Sequence, residues 1–422
     1  MSQPQQVVPH FGIAVVMAMA MALGPLAIDT YLPAFPAIAE SLQVSLHEIS
    51  LSISIYVFVL AIGQLVGGPM SDRFGRAYVM LSGLGIFGLA SVLLSYVDSS
   101  AQLLALRAVQ GFGGGCIAVC VPAIVRDRLS GAEAARFFSL IGLIMILAPA
   151  IAPSIGSAIL AQFDWPAIFS MLFFYTVILG FLLKWVVFPG KQQRPGSTVR
   201  ISVLARYRAV IATRPALRFM LLQALCFSVM LLFISHSSYI YQQHFGANPV
   251  TFSLLFGANI IVMFAANLTN RRLLKRIPAK LILRWAVTMQ AVGIALLLGI
   301  VVFAPKLWLF LPAMMITIGA MGAITPNTQA CFMEYFAEHG GTASALLGAT
   351  QFALAGLVAV GSAMLPQTLT AFVLAQAACA LPCVLLVWTY THQAGQQRCS
   401  YNQNPADTPH HSIISPDGAP GP

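Results

Sequence analysis

The chain has 422 residues, of which 59% are hydrophobic and only 8% are charged. A soluble protein carries about a quarter charged residues, so a soluble globular domain is excluded and most of this surface must face lipid. The net charge of +10 does not point to nucleic acid, because the basic residues fall in loops between apolar runs, where lipid head groups and the orientation rule account for them.

The apolar runs are long and continuous, unlike the alternating segments of about ten residues in a membrane barrel. Each has the roughly 20 residues that a helix needs to cross a bilayer. Taken in chain order they predict an all-α membrane protein with twelve transmembrane helices at 11–35, 49–69, 77–97, 101–125, 136–160, 165–188, 217–241, 250–270, 280–304, 307–331, 342–364 and 367–391. The first run reads as a span and not as a secretory signal, since it lacks a basic start and holds Asp29 near its end.

Every second loop is basic. These loops carry Arg73 and Arg76; Arg126, Arg128 and Arg136; the six cations from Lys191 to Arg214; and Arg271, Arg272, Lys275, Arg276 and Lys280. The intervening loops offer one clear case, Lys306. That alternation is the positive-inside signature, and it places both termini in the cytoplasm. The loop at 332–341 breaks the pattern, with Glu334 and Glu338 and no Lys or Arg.

The long loop 189–216 divides the spans six and six. It separates an N-terminal bundle at 11–188, preceded by a cytoplasmic segment 1–10, from a C-terminal bundle at 217–392. With Pro189-Gly190, Pro195-Gly196 and Pro215 among its charges, it reads as a cytoplasmic linker with room for one short surface helix. A weak repeat relates the halves: GGPMSDRFGRAYVM follows span two and AANLTNRRLLKRIPAK follows span eight, and such halves are a common transporter plan. The stretch 393–422 is rich in Pro, Gln, Asn and His and is expected to be a disordered cytoplasmic tail. Six cysteines lie in apolar segments and Cys399 lies in the tail. They read as small packing residues, with no metal-site spacing.

Asp29 is the one acidic residue within the expected spans. An intramembrane carboxyl costs several kcal/mol by insertion scales, about 3, and a burden of that size points to proton or cation coupling. Arg107, in span four, lies about six residues or roughly 9 Å below the outer end, a depth similar to that of Asp29. A direct or water-bridged pair follows, in which arginine biases the acid without giving up its own proton. Alternatives are an acid that snorkels from a helix end and a static ion pair.

Tyr31, Tyr56, His236, Tyr239, Asn259 and Asn327 are polar residues within spans and candidate substrate contacts; helix–helix hydrogen bonding is the other reading. Asp72, Arg73, Gly75 and Arg76 occupy the loop after span two. There Gly75 permits an unusual turn, Asp72 can meet the 340–344 stretch that opens span eleven, and Arg73 or Arg76 can pair with Asp127 as a breakable cytoplasmic latch. Pro149, Pro153 and Gly156 in span five combine kinks with small residues and mark a hinge or a sealed contact.

At these residues the sequence resembles the major facilitator superfamily. GGPMSDRFGR is similar to its signature between spans two and three, LALRAVQGFGGG to the span-four motif of its proton antiporters, and LAPAIAPSIGSAI to their span-five motif. PLAIDTYLPAFPAI and FAEHGGTASALLG resemble the bicyclomycin-resistance and chloramphenicol/florfenicol exporter family within it. The resemblance covers 11–391 and implies two pseudo-symmetric six-helix halves, alternating access, and drug export from a bacterial inner membrane driven by proton entry. By position, Asp29 matches the family's span-one acid and Arg107 its span-four arginine. The chain departs from the family at Ala77, where a second basic residue is frequent, and at Ala152 and Ser157, where glycine is frequent.

No cofactor is expected beyond the proton gradient as energy source. The expected partners are a small-molecule substrate, protons and membrane lipids, with no nucleic acid, and the chain is expected to act as a monomer. Transport of a natural metabolite is the alternative. A receptor or intramembrane enzyme is disfavoured, since Asp29, Arg107 and His236, deep within the spans, do not make a catalytic cluster.

Overall fold

The computed structural model describes residues 10–128, 131–189, 203–336 and 340–401. The first span is α1 (His10–Asp29), a 3-10 turn at Leu32–Ala34, and α2 (Phe35–Leu42). The next five are α3 (Leu46–Phe74), α4 (Arg76–Leu94), α5 (Ser100–Arg128), α6 (Gly131–Leu160) and α7 (Pro166–Leu182). A short helix in the linker, α8 (Val203–Ala212), precedes α9 (Arg214–Ser238), α10 (Pro249–Leu273) and α11 (Ala279–Phe303). Span ten is broken into α12 (Leu307–Gly319) and α13 (Met321–Met333), and α14 (Gly340–Ser362) and α15 (Leu369–Tyr401) complete the chain. Among the described residues eleven helical stretches are long and apolar enough to cross a membrane. The thirty-residue α6 makes the twelfth.

Local chemistry explains the ends. Ser45 caps α3 by accepting from the Glu48 amide at 3.3 Å, the first half of a Ser-x-x-Glu capping box. Asn248 accepts from the Thr251 amide at 2.8 Å and Pro249 opens α10, where its missing N–H costs nothing. Gly75 ends α3 at φ 99°, a conformation that favours glycine.

The packing pattern repeats after six spans. In the first half α1 lies on α6, α3 on α5, and α4 on α7; in the second, α9 lies on α14, α10 on α12 and α13, and α11 on α15. The halves meet through α3 on α14 and α6 on α10. Those two contacts interchange on shifting by six spans, as a twofold requires. Large apolar side chains such as Leu89, Phe181 and Trp308 point outward, where lipid makes exposure favourable.

Two boundaries differ from expectation. The first span does not stop at Pro33 and Pro36: each proline sits in the first turn of a new helical segment, and the helix runs on to Leu42. The last helix continues to Tyr401, into the stretch expected to be a disordered tail from 393; residues 402–422 lie outside the described residues, as do 1–9. The anomalous acidic loop also finds its explanation: Glu334 pairs with Lys280 at 3.0 Å, so the neighbouring basic loop neutralises it. Glu338 lies outside the described residues. The turn at Gly75, α8 and the 271–280 loop share one end of the bundle, called the linker end below. The turns at Ser45, Pro249 and Ala363 share the far end.

Candidate functional site

Asp29 is the last residue of α1, where the first span breaks. Thirteen residues of span follow it, up to Leu42, so it does not snorkel from a helix end. It is 3% exposed, and its Oδ1 is buried without a hydrogen-bond partner. Thr30 donates its hydroxyl back to the Leu26 carbonyl at 2.6 Å, which closes the last turn.

Arg107 is fully buried in the same layer. Its Nη1 donates to the Ala27 carbonyl at 3.1 Å and to Gln110 Oε1 at 2.6 Å. Gln110 passes the chain on, donating to Ser91 Oγ at 2.9 Å, and Ser91 donates to the Phe87 carbonyl. The guanidinium carbon lies 4.9 Å from the Tyr31 ring centroid and 4.5 Å from that of Tyr56, within reach of cation–π attraction to both rings.

Asp29 and Arg107 make no direct ion pair in this conformation. Arginine turns instead to a backbone carbonyl, an amide and two ring faces, and its Nε and Nη2 remain without hydrogen-bond partners. An acid with an unused oxygen and a guanidinium with two unused donors therefore share one buried layer.

Tyr31 and Tyr56 were expected as substrate contacts; both are fully buried as the walls of the arginine site. Tyr31 also shares a hydrogen bond of 3.2 Å with Ser52 and packs against Phe35 and Phe169. Asn259 and Asn327 likewise hold helices together: Asn259 donates to the Tyr241 hydroxyl at 3.2 Å, and Asn327 donates to Asn270 Oδ1 at 2.6 Å. A buried amide needs partners; here neighbouring elements supply them to the two NH2 groups, while Asn259 Oδ1 and Asn327 Oδ1 have none. Tyr239 donates to the Gln367 carbonyl at 2.7 Å at the far end. His236 shares a hydrogen bond with the Leu232 carbonyl and lines a crevice of about 20 Å³ with His47, room for one water.

The hinge residues fall together. Pro149 and Pro153 lie inside α6, which runs unbroken past both. A Cβ on Gly156 would stand 2.0 Å from the Thr30 carbonyl oxygen, so only glycine lets α6 rest on the break beside Asp29. The next residue, Ser157, reaches the other half, sharing a 2.6 Å hydrogen bond with Ser253 and donating to the Pro249 carbonyl at 2.8 Å. Gln242 donates to the Leu32 carbonyl at 3.3 Å, and His47 hydrogen-bonds to the Ala363 carbonyl. The far end is thus closed.

The linker end is open. A cavity of about 340 Å³ separates the halves there, lined by Met21, Gln64, Asp72, Tyr207, Thr342 and Ser344 among others. Asp72 lines it together with Thr342 and Ser344 from the start of span eleven, and Asp72 pairs with Arg76 at 2.6 Å. Arg76 also meets Asp127 at 3.2 Å, both in the first half, so this part of the latch ties spans within a half. Arg73 stacks on Phe74, and among the described residues it makes no ion pair with Asp127. Burial and the nearby Asp72 push the phenol of Tyr207, on the linker helix, above its ordinary range. Because the Arg76 pairs are partly exposed, Arg76→Ala is expected to lower stability by no more than about 1 kcal/mol. It should nevertheless change the transport rate where Arg73→Ala does not, and thermal unfolding beside initial-rate assays checks both.

Gln110, Ser91 and Ser52 belong to the site and carried no individual role in the sequence. The spacing of Gln110, three residues after Arg107 and so on one helix face, is the signal that marks it.

A bicyclomycin resistance protein homolog of Haemophilus influenzae is 27% identical over 371 residues, covering 87% of this chain and 93% of its own. Multidrug resistance protein D of Escherichia coli is 28% identical over 85% of this chain and 90% of its own length. The uncharacterized MFS-type transporter YdgK of Bacillus subtilis is 32% identical over 83% of this chain and 88% of its own. Among solved structures, the partially occluded inward-open xylose transporter XylE of E. coli superposes with a TM-score of 0.71 at 14% identity, over 90% of this chain and 97% of its own. The family described as Major Facilitator Superfamily matches residues 14–360. The chain is a multi-pass membrane protein and belongs to that superfamily.

Proposed function

We propose that the protein is a proton-coupled antiporter that exports small, largely apolar antibiotics, of the phenicol or bicyclomycin kind, by alternating access. The names of the relatives support the cargo class, and the loop charges support a bacterial inner membrane with termini and linker in the cytoplasm. With that orientation the conformation described is inward-open. Cargo and protons are the partners, and each chain holds its own cavity, in keeping with a working monomer.

The observation that carries the coupling is the unspent pair in the Asp29 layer. Met21, which lines the cavity, lies eight residues before Asp29, about 12 Å along the helix. Burying a lone carboxylate there would cost far more than burying the neutral acid, so Asp29 carries its proton in this state. Loss of that proton leaves a carboxylate to which Arg107 offers two unused donors. The guanidinium then leaves the Ala27 carbonyl and the tyrosine rings, and packing among α1, α3 and α5 must change with it. Arginine keeps its own charge throughout. Proton release is in this way tied to the helix contacts that set which side is open.

Proteoliposomes with a pH gradient and a labelled phenicol test the reading. Uphill movement that collapses with a proton ionophore is expected; transport indifferent to the ionophore would sink the coupling, and movement of amino acids or nucleosides in its place would sink the cargo class.

A further inference from the structure

At the linker end of the second half, α9, α11 and α15 diverge around a groove of about 230 Å³, separate in its lining from the cavity between the halves. Its rim is basic, with Arg218 from α9 and Lys280 and Arg284 from α11. Among the described residues Glu334 is an acid near it, and it pairs with Lys280 at 3.0 Å. Its walls are aliphatic: Leu222, Leu281 and Leu386.

Two further observations say what sits there. The Arg284 guanidinium lies 5.3 Å from the Trp388 ring, and its Nη2 is buried with no hydrogen-bond partner. Trp388 donates to Thr288 Oγ1 at 3.2 Å and is 50% exposed, as is Trp285 beside Arg284. Exposed indoles near the ends of apolar spans, as Trp388 is in the span Leu369–Thr389, mark the level where head groups meet hydrocarbon. The groove therefore combines cations at head-group depth, one donor without an acceptor, and apolar walls running inward.

We propose that this groove binds an anionic phospholipid from the linker-side leaflet, with its phosphate on Arg284 and Arg218 and an acyl chain along Leu281 and Leu386. A free phosphate would leave the aliphatic walls unused. A zwitterionic lipid would bring an ammonium to a rim that already holds three cations. Basic pockets between spans on the cytoplasmic side recognise anionic head groups in this way.

The test uses the full-length protein in detergent, with native mass spectrometry against phosphatidylglycerol, phosphatidylcholine and glycerol 3-phosphate. Phosphatidylglycerol should be retained in preference to phosphatidylcholine. Each arginine near an anionic group is worth roughly fivefold, so R218Q/R284Q should cut that preference by about 25-fold. R271Q/R272Q, which removes two cations of the same end outside the groove, should leave it unchanged. Should R218Q/R284Q fail to fold, Leu386→Trp fills the groove while keeping its charges, and it should lose the same adduct. The proposal is overturned if the groove variants keep the preference, if R271Q/R272Q loses as much, or if glycerol 3-phosphate binds as well as the lipid.

Discussion

Asp29→Asn is expected to abolish uphill transport while leaving exchange of substrate across the membrane intact. One proton exchanged per neutral substrate, across two pH units and no membrane potential, is worth about 2.7 kcal/mol, enough for roughly a 100-fold gradient. The asparagine side chain keeps the size and the hydrogen-bonding oxygen of the neutral acid but has no proton to give. The accumulation ratio should therefore fall from about that value to unity, while counterflow, which needs only alternation, persists. Asp29→Glu should retain part of the gradient. Ionophore-sensitive accumulation by Asp29→Asn would remove the carboxyl from its proposed role. Because Oδ1 lacks a partner in the wild type, the substitution breaks no hydrogen bond there, and the protein should remain folded.

Gly156→Ala is expected to be the most damaging single methyl group in the molecule. Its Cβ would lie 2.0 Å from the Thr30 oxygen and 2.9 Å from the Thr30 carbon, both backbone atoms that cannot swing aside. The two helices must part, at a cost of about 1–3 kcal/mol for overpacking, and the parting occurs beside Asp29. Transport should fall by more than about tenfold, since 1.4 kcal/mol is already a factor of ten in an equilibrium. Gly361→Ala is the matched control: nothing lies within 4 Å of its Cβ, and in a helix it should stabilise by up to about 1 kcal/mol. Thermal unfolding of the pair should give opposite signs; equal behaviour would show that glycine content, not close approach, matters at 156.

Much of this was legible in the residues. Loop cations and apolar run lengths delimit the spans, and the close packing at Gly156 follows from small residues beside Pro149 and Pro153. The continuation of the first span past Asp29 to Leu42 was not legible, because Pro33 and Pro36 stop a helix or start one with equal ease, and only the fold shows that they start new segments here. Side-chain direction was hidden too. Asp29 and Arg107 share a layer, as their positions suggested, yet the guanidinium is satisfied by Ala27, Gln110 and two tyrosine faces. Tyr31 and Tyr56, polar and within spans, looked like cavity residues for the same reason that makes them good walls for a cation. Asn259 and Asn327 pair with residues on neighbouring elements, a choice of partner that periodicity does not reveal.

The hydrogen bonds that hold the halves together at the far end come from hydroxyl, amide and imidazole groups, and three of the four named above end on backbone carbonyls. Neutral bonds of this kind are each worth about 1 kcal/mol net, because water replaces them at little loss. Four of them amount to a few kcal/mol, the same order as the gap between two conformers that interconvert under load. A lid built from buried ion pairs would resist hydration and arrest the cycle in one state. This one behaves as a zip fastener that solvent can undo tooth by tooth, leaving the direction of travel to whatever occupies the middle of the molecule.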